Sequence, residues 1–79
     1  MSLKAECQRI KRQVARKYMV TIAEIEGPSR REEIVDARHE AICRCSKETK
    51  ASLTTIGRFF NRTHGTVIHA LKRNGKDLH

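Results

Sequence analysis

Tryptophan is absent from this chain, proline occurs once (Pro28), and the aromatics are three: Tyr18, Phe59 and Phe60. With only four glycines in 79 residues, these counts argue against a collagenous, proline-rich or repeat protein. No apolar run approaches the roughly 20 residues a membrane helix needs. The longest, around Met19 to Ile25, is broken by Thr21 and Glu24. The N-terminus also lacks the apolar core of a signal peptide, so a cytoplasmic protein is expected. Cysteine is present in an odd number, as Cys7, Cys43 and Cys45, with no regular spacing. That excludes a disulfide framework and predicts free thiols, at least partly buried as small apolar residues. Cys43 and Cys45 precede His64 and His69 in a loose echo of a zinc finger. On a helix, however, residues 43 and 45 point about 200° apart and cannot grip one ion. No metal and no cofactor are expected.

Acid is the telling scarcity. From Thr49 to Lys76 there is no carboxylate at all. Residues 49–79 hold six basic side chains (Lys50, Arg58, Arg62, Lys72, Arg73, Lys76) and one acidic (Asp77), a net +5. Residues 1–29 hold six basic and three acidic, net +3, and residues 30–48 hold five of each, so the whole chain carries +8. Soluble surfaces usually mix both signs. A field concentrated this way attracts a polyanion and speeds encounter with it. A membrane surface fits less well, because basic anchors add apolar residues beyond core needs.

The length allows one small domain, residues 1–79, and 38% hydrophobic residues suffice for a core. A chain this size buries only about 60% of its unfolded surface, leaving little room for a substrate cavity. No Ser–His–Asp or paired-carboxylate spacing stands out, so neither an enzyme nor a small-molecule substrate is expected.

The periodicity is helical throughout. Leu3, Cys7, Ile10, Val14 and Tyr18 draw one apolar stripe on a helix of about 16 residues, with Lys4, Lys11, Arg12 and Arg16 on its other faces. Thr21-Ile22-Ala23-Glu24 is a capping-box pattern, and Gly27 a plausible stop for a short helix. Ser29-Arg30-Arg31-Glu32 is a second such pattern, opening a long helix to about Ser46 or Lys47. Along one side of that helix lie Ile34, Val35, Arg38, Ala41, Ile42 and Cys45. Ser52 is a good N-cap for a helix carrying Leu53, Ile56, Phe59 and Phe60. Asn61 suits a left-handed turn, Thr63 caps a last helix through Val67, Ile68, Ala70 and Leu71, and Gly75 punctuates its end. The expected fold class is all-α, a small bundle of about five helices.

The last two helices have a helix-turn-helix layout. Gly57 sits where the first must pass close to the second, Asn61 follows at the turn, and Val67, Ala70 and Leu71 are the buried aliphatics. The second helix of such a unit enters the major groove by its N-terminal end, which here reads Arg62-Thr63-His64-Gly65-Thr66. Arg62 can fork onto guanine or grip a phosphate. Thr63 and Thr66 can donate to phosphate or base edges, and His64 can donate to a base acceptor. Gly65 lets the backbone approach DNA. The bland alternative is that Thr63 only caps and His64 is only a surface residue. His69 fits packing or a phosphate contact, and Phe59 and Phe60 fit the core.

From Ser29 onward the chain resembles the C-terminal DNA-binding domain, domain IV, of the bacterial replication initiator DnaA. The resemblance rests on Arg30, Ile34-Val35-Asp36-Ala37-Arg38, Ala41, Thr49, Ser52-Leu53, Ile56-Gly57, Phe60 and Arg62-Thr63-His64-Gly65-Thr66-Val67-Ile68-His69-Ala70. Val14-Ala15, Lys17-Tyr18 and the short helix after them look like the family's opening. The family's last stretch reads Arg-Asp-His-Thr-Thr-Val-x-His-Ala. Here its Asp is Thr63, its first Thr is Gly65, and Asn61 alone stands where Gly-Gly is usual. Asp suits cytosine N4, whereas Thr63 carries no charge, so the family's base preference does not carry over at that position.

The resemblance implies a Trp-repressor-like helical fold and binding of double-stranded DNA, in an origin or DnaA-box-like context. It implies that Arg30 reaches the minor groove, with Arg31 as a neighbouring substitute, and that Arg38 contacts the DNA backbone. It places Arg62, Thr63, His64, Gly65 and Thr66 in the major groove, and Lys50, Ser52, Leu53 and Thr54 at the phosphate approach. The location is then expected to be nucleoid-associated. No Gly-x-x-x-x-Gly-Lys-Ser/Thr pattern occurs, so no ATPase activity is expected. Two other roles stay open: an adaptor or decoy binding replication proteins through the N-terminal helix, and a phage-type transcriptional regulator.

Overall fold

A computed structural model describes residues 2–75 and shows α1 (Leu3–Tyr18), α2 (Ile22–Glu26), α3 (Glu32–Glu48), α4 (Leu53–Phe59) and α5 (His64–Gly75). No strand occurs among the described residues, and none of the helices is long and apolar enough to cross a membrane. Lys76 and Asp77 lie outside the described residues, and Gly75, expected to punctuate α5, is the last of them.

The helix ends are mostly built from local chemistry. The Ser2 hydroxyl accepts from Ala5 N–H at 3.1 Å to open α1. Met19 closes it in a left-handed conformation, φ 57°, while Val20 N–H donates to Ala15 O at 2.9 Å, a Schellman ending. The capping box of α2 is complete: Glu24 N–H donates to Thr21 Oγ1 at 3.0 Å, and Thr21 N–H donates to the Glu24 carboxylate at 2.9 Å. Ser52 Oγ accepts from Thr55 N–H at 3.2 Å to cap α4, and Thr63 Oγ1 accepts from Thr66 N–H at 3.3 Å at the head of α5.

The second capping box does not form. Arg31 occupies the N-cap of α3 and makes no side-chain cap. The Ser29 hydroxyl instead accepts from Arg31 N–H at 3.3 Å, two residues on. This short Ser turn follows Pro28 and delays the helix until Glu32. At its other end α3 runs to Glu48, slightly past the expected stop, because Thr49 Oγ1 donates back to Cys45 O at 2.6 Å and its N–H donates to the same carbonyl at 3.2 Å.

Helix α3 is the middle of the bundle. Gln13, Lys17 and Tyr18 of α1 meet Arg44 and Glu40 on one flank of α3. His39 lies on its other flank, near Arg73 and His69 of α5. Cys7, Ile10 and Val14 of α1, Ile25 of α2, Ala41, Ile42 and Cys45 of α3, Ile56 of α4, and Phe60, Val67 and Ala70 fill the core. Phe60 is wholly buried, worth about 2–3 kcal/mol, and Phe59 packs against the same cluster. All three cysteines are free and buried. Burial first, and then the neighbouring Cys7, push the Cys45 thiol far up, so it stays protonated.

Lys11 departs from the expected outer face: it is 2% exposed. Its ammonium pairs with the Glu26 carboxylate at 2.6 Å, donates to Phe59 O, and lies 4.6 Å over the Phe60 ring. One lysine thus ties α1 to the ends of α2 and α4. A signal existed: Lys11 stands four residues after Cys7 and seven before Tyr18, in register with the apolar stripe.

Candidate nucleic-acid interface

Helices α4 and α5 meet in a turn too tight for a side chain at Gly57. A Cβ there would sit 2.6 Å from the Arg62 carbonyl oxygen. Arg62 N–H donates to Gly57 O at 2.7 Å, and Phe60 N–H donates to Ile56 O at 3.1 Å. Asn61 takes φ 55°, the left-handed turn its residue type favours. Val67 and Ala70 are fully buried against the core, which fixes the roll of α5. Away from those two residues the helix presents Gly65, His69, Lys72 and Arg73, and at its head His64 and the capping Thr63; all six are exposed.

At the head of α5 the Thr63 and Thr66 hydroxyls lie 3.1 Å apart and share a hydrogen bond. His64 and Gly65 project beside them. A Cβ added at Gly65 would meet only Thr63 Oγ1, at 3.9 Å, so its lack of a side chain serves no internal packing. No acidic residue lies in the first turn of α4 or of α5. The free N–H groups of the α5 first turn therefore face solvent without a competing carboxylate, a favourable place for phosphate oxygen.

A second element joins this tip. The Arg62 guanidinium donates to Gly27 O at 2.6 Å and Glu26 O at 3.4 Å, and also to Phe60 O and Asn61 O. Asn61 Nδ2 donates to Glu26 O at 3.4 Å. The α4–α5 turn is thereby fastened to the end of α2, which places the loop 28–31 beside residues 61–63. Arg62, expected in the major groove, is half-buried, and its guanidinium here is turned to main-chain carbonyls. The reason is geometric. The end of α2 leaves carbonyls without helical partners, and the long guanidinium of the turn reaches them.

Arg38 also differs from the expected surface contact, being 6% exposed. It donates from Nε to Ile25 O at 2.7 Å, and from one terminal nitrogen toward Glu24 O, Gly27 O and Ser29 O at 3.0–3.2 Å. Four carbonyls from the end of α2 and the α2–α3 connection converge on it; Ile25 O and Ser29 O have it as their donor, while Glu24 O also accepts from Gly27 N–H and Gly27 O from Arg62, and this gathers the loop into one shape. Burial first, and the nearby Arg62 second, weaken its hold on its proton, though it stays a cation.

Arg30 and Arg31 are carried at the edge of that loop, both exposed. Arg31 pairs with Glu33 at 2.8 Å, and Arg30 has no partner among the described residues. On the other side of the tip, Lys50 and Thr54 are exposed, Ser52 is exposed with its hydroxyl on the α4 cap, and Leu53 leans on the core. Arg58 of α4 is a further exposed cation on the unit, as are Lys72 and Arg73. Sequence reasoning counted these three in the charge without placing them on the face. Their acid-free surroundings were the available signal.

The family model described as the bacterial dnaA protein helix-turn-helix matches residues 7–73. Among curated relatives, the chromosomal replication initiator protein DnaA of Deinococcus radiodurans is 40% identical over 70 residues, 89% of this chain. That of Ruegeria pomeroyi is 37% identical over 71 residues, and that of Oleidesulfovibrio alaskensis 35% over 69, or 87% of this chain. The chain spans 15% of the length of each of these relatives. No solved structure matches it. With the tight turn at Gly57, the exposed head of α5 and the family match over 7–73 in agreement, the chain belongs to the helix-turn-helix family of bacterial DnaA.

Proposed function

We propose that the chain binds double-stranded DNA sequence-specifically, laying the head of α5 in the major groove and the loop carrying Arg30 at the adjacent minor groove. The observation that carries this is the fastening of the loop that carries Arg30 to the acid-free α4–α5 unit, through the bonds from Arg62 and Asn61 to Glu26 and Gly27. Thr63, His64 and Thr66 meet base edges or phosphates, and Gly65 lets the helix come close. Lys50, Ser52, Leu53 and Thr54 lie against the phosphates flanking the groove. Arg31 is a second candidate for the minor groove once its exposed pair with Glu33 opens. Arg38 and Arg62 act from behind, by holding the loop and the turn. The relatives are named chromosomal replication initiator proteins, so the target class we infer is a box at an origin or a site resembling one. Binding needs no nucleotide.

Selection of bound duplexes from a random pool tests this directly. A short enriched motif, together with amide shifts at residues 62–66 in the presence of the winning duplex, is the expected result. Enrichment of nothing, with another surface shifting, points instead to a protein-binding adaptor and removes the proposal.

A further inference from the structure

Helix α1 carries a second basic line that the α5 face does not use. Arg9, Arg12 and Arg16 are all exposed, and on a helical wheel they fall within about 60° of one another. That arc is centred opposite Cys7, Ile10 and Val14, so it is the most outward line of the helix. The only other residue within it is Ala5, also exposed, and no acid interrupts it. None of the three arginines makes an ion pair or hydrogen bond among the described residues, whereas Lys11 and Lys17 of the same helix pair with Glu26 and Glu40. Glu48, whose carboxyl feels Arg9, is already held by Arg44 at 2.7 Å. Like charges three and four residues apart weaken a helix, so this line works against α1 unless something anionic lies on it. Arginine, with its rigid donor fork, suits phosphate better than lysine does. The line also lacks exposed apolar side chains, which argues against a membrane surface.

Its direction decides the occupant. α1 and α5 pack on opposite flanks of α3, and the arginines face away from that shared core. The whole molecule measures 28 × 27 × 22 Å along its principal axes, and lines on opposite flanks of its middle helix lie on different sides of it. We infer that the Arg9–Arg12–Arg16 line is a second, sequence-independent docking site for nucleic acid, taking the phosphate backbone of a separate duplex so that one chain can hold two. The line spans about 10 Å along α1, enough for two or three phosphates. Bridging rests on the proposed α5 site, but the arginine line itself does not.

The test uses the full chain, one immobilised duplex carrying the selected motif, and a second labelled duplex without it, in about 50 mM salt. Sedimentation of the soluble mixture counts duplexes per chain. Wild type is expected to capture the labelled duplex as one chain with two duplexes. The variant R9Q/R12Q/R16Q should keep the motif duplex within about twofold but lose capture of the second by about tenfold or more, with the salt slope of that capture step falling by about 2–3. One duplex per wild-type chain, or two per variant chain, overturns the inference. So does wild type binding phosphatidylglycerol vesicles through these arginines while capturing no second duplex. If the variant loses the motif duplex as well, the arginines belong to the first site and the two-site inference fails. Loss of motif preference in H64A alone would instead bear on the α5 reading.

Discussion

At the scale of the residue, side chains of one type do unlike things, and only their partners separate them. Arg30 stands free at a loop edge, whereas Arg38 and Arg62 are bound to main-chain carbonyls. Replacing Arg38 with Ala leaves Ile25 O and Ser29 O without a donor, and should cost roughly 2–4 kcal/mol in urea denaturation. Arg62 is less buried, so Arg62→Ala should cost only about 1–2 kcal/mol. Because Arg62 sets the spacing between loop and tip, the same change should weaken binding to every duplex alike. His64→Ala should do the reverse. It should leave the urea midpoint nearly unchanged, while competition binding loses roughly 1–3 kcal/mol of discrimination at one base position. Local signals made Gly57, Asn61 and the hydroxyl caps readable from sequence, since each acts on backbone within a few residues. Lys11 was not readable in the same way, because its acceptors, Glu26 and Phe59, lie 15 and 48 residues along the chain.

Among the elements, the turn between α4 and α5 and the clamp at the end of α2 determine whether the face exists. A methyl at Gly57 would strike the Arg62 carbonyl, which is backbone and cannot swing aside. Gly57→Ala should therefore destabilise by about 1–3 kcal/mol and shift the amides of α5 relative to α4. Thermal unfolding and a heteronuclear spectrum would show it, and unchanged α5 shifts would mean the turn is looser than the distances imply. By contrast, a methyl at Gly65 meets only Thr63 Oγ1 at ordinary contact distance, so Gly65→Ala should not destabilise, and should stabilise by up to about 1 kcal/mol, while acting on DNA binding. The start of α3 shows what pattern matching misses. Ser29 and Glu32 have the spacing of a capping box, yet the Ser hydroxyl turns to Arg31 N–H. The loop is drawn inward by Arg38 through Gly27 O and Ser29 O, and that long-range pull overrides the local preference.

For the whole molecule, charge governs the response to salt and burial governs the response to pH. If α5 and the Arg30 loop neutralise about five to eight phosphates, log affinity should fall against log salt with slope about −5 to −7. A flat dependence would remove the electrostatic face from the account. Burial first, and then Arg73, Arg38 and His69, hold His39 below its ordinary 6.5. The unfolded chain therefore binds this proton more readily than the folded one. Stability from this group is complete above about pH 6.5 and declines as pH falls below that value. Denaturation midpoints between about pH 7.5 and 5.5 should fall in wild type and fall less in His39→Gln. Glu40 belongs to a lower window. Burial raises its pKa, but hydrogen bonds from Lys17 and Tyr18 outweigh that and leave it lowered, so its loss begins below 4.5.

Helix positions, the caps at Thr21, Ser52 and Thr63, the left-handed Asn61 and the basic, acid-free stretch from Thr49 to Lys76 were determined by the sequence alone, because each depends on spacing or composition within a turn or two. The family was legible too, most densely in the continuous stretch from Arg62 to Ala70, with further matching residues from Val14 to Phe60. The tertiary structure alone decided which cations are struts and which are free, where the Arg30 loop lies against the tip of α5, and that the α1 arginines face away from it. These depend on carbonyls and carboxylates that come within reach only after the helices pack, and no spacing along the chain encodes such a meeting.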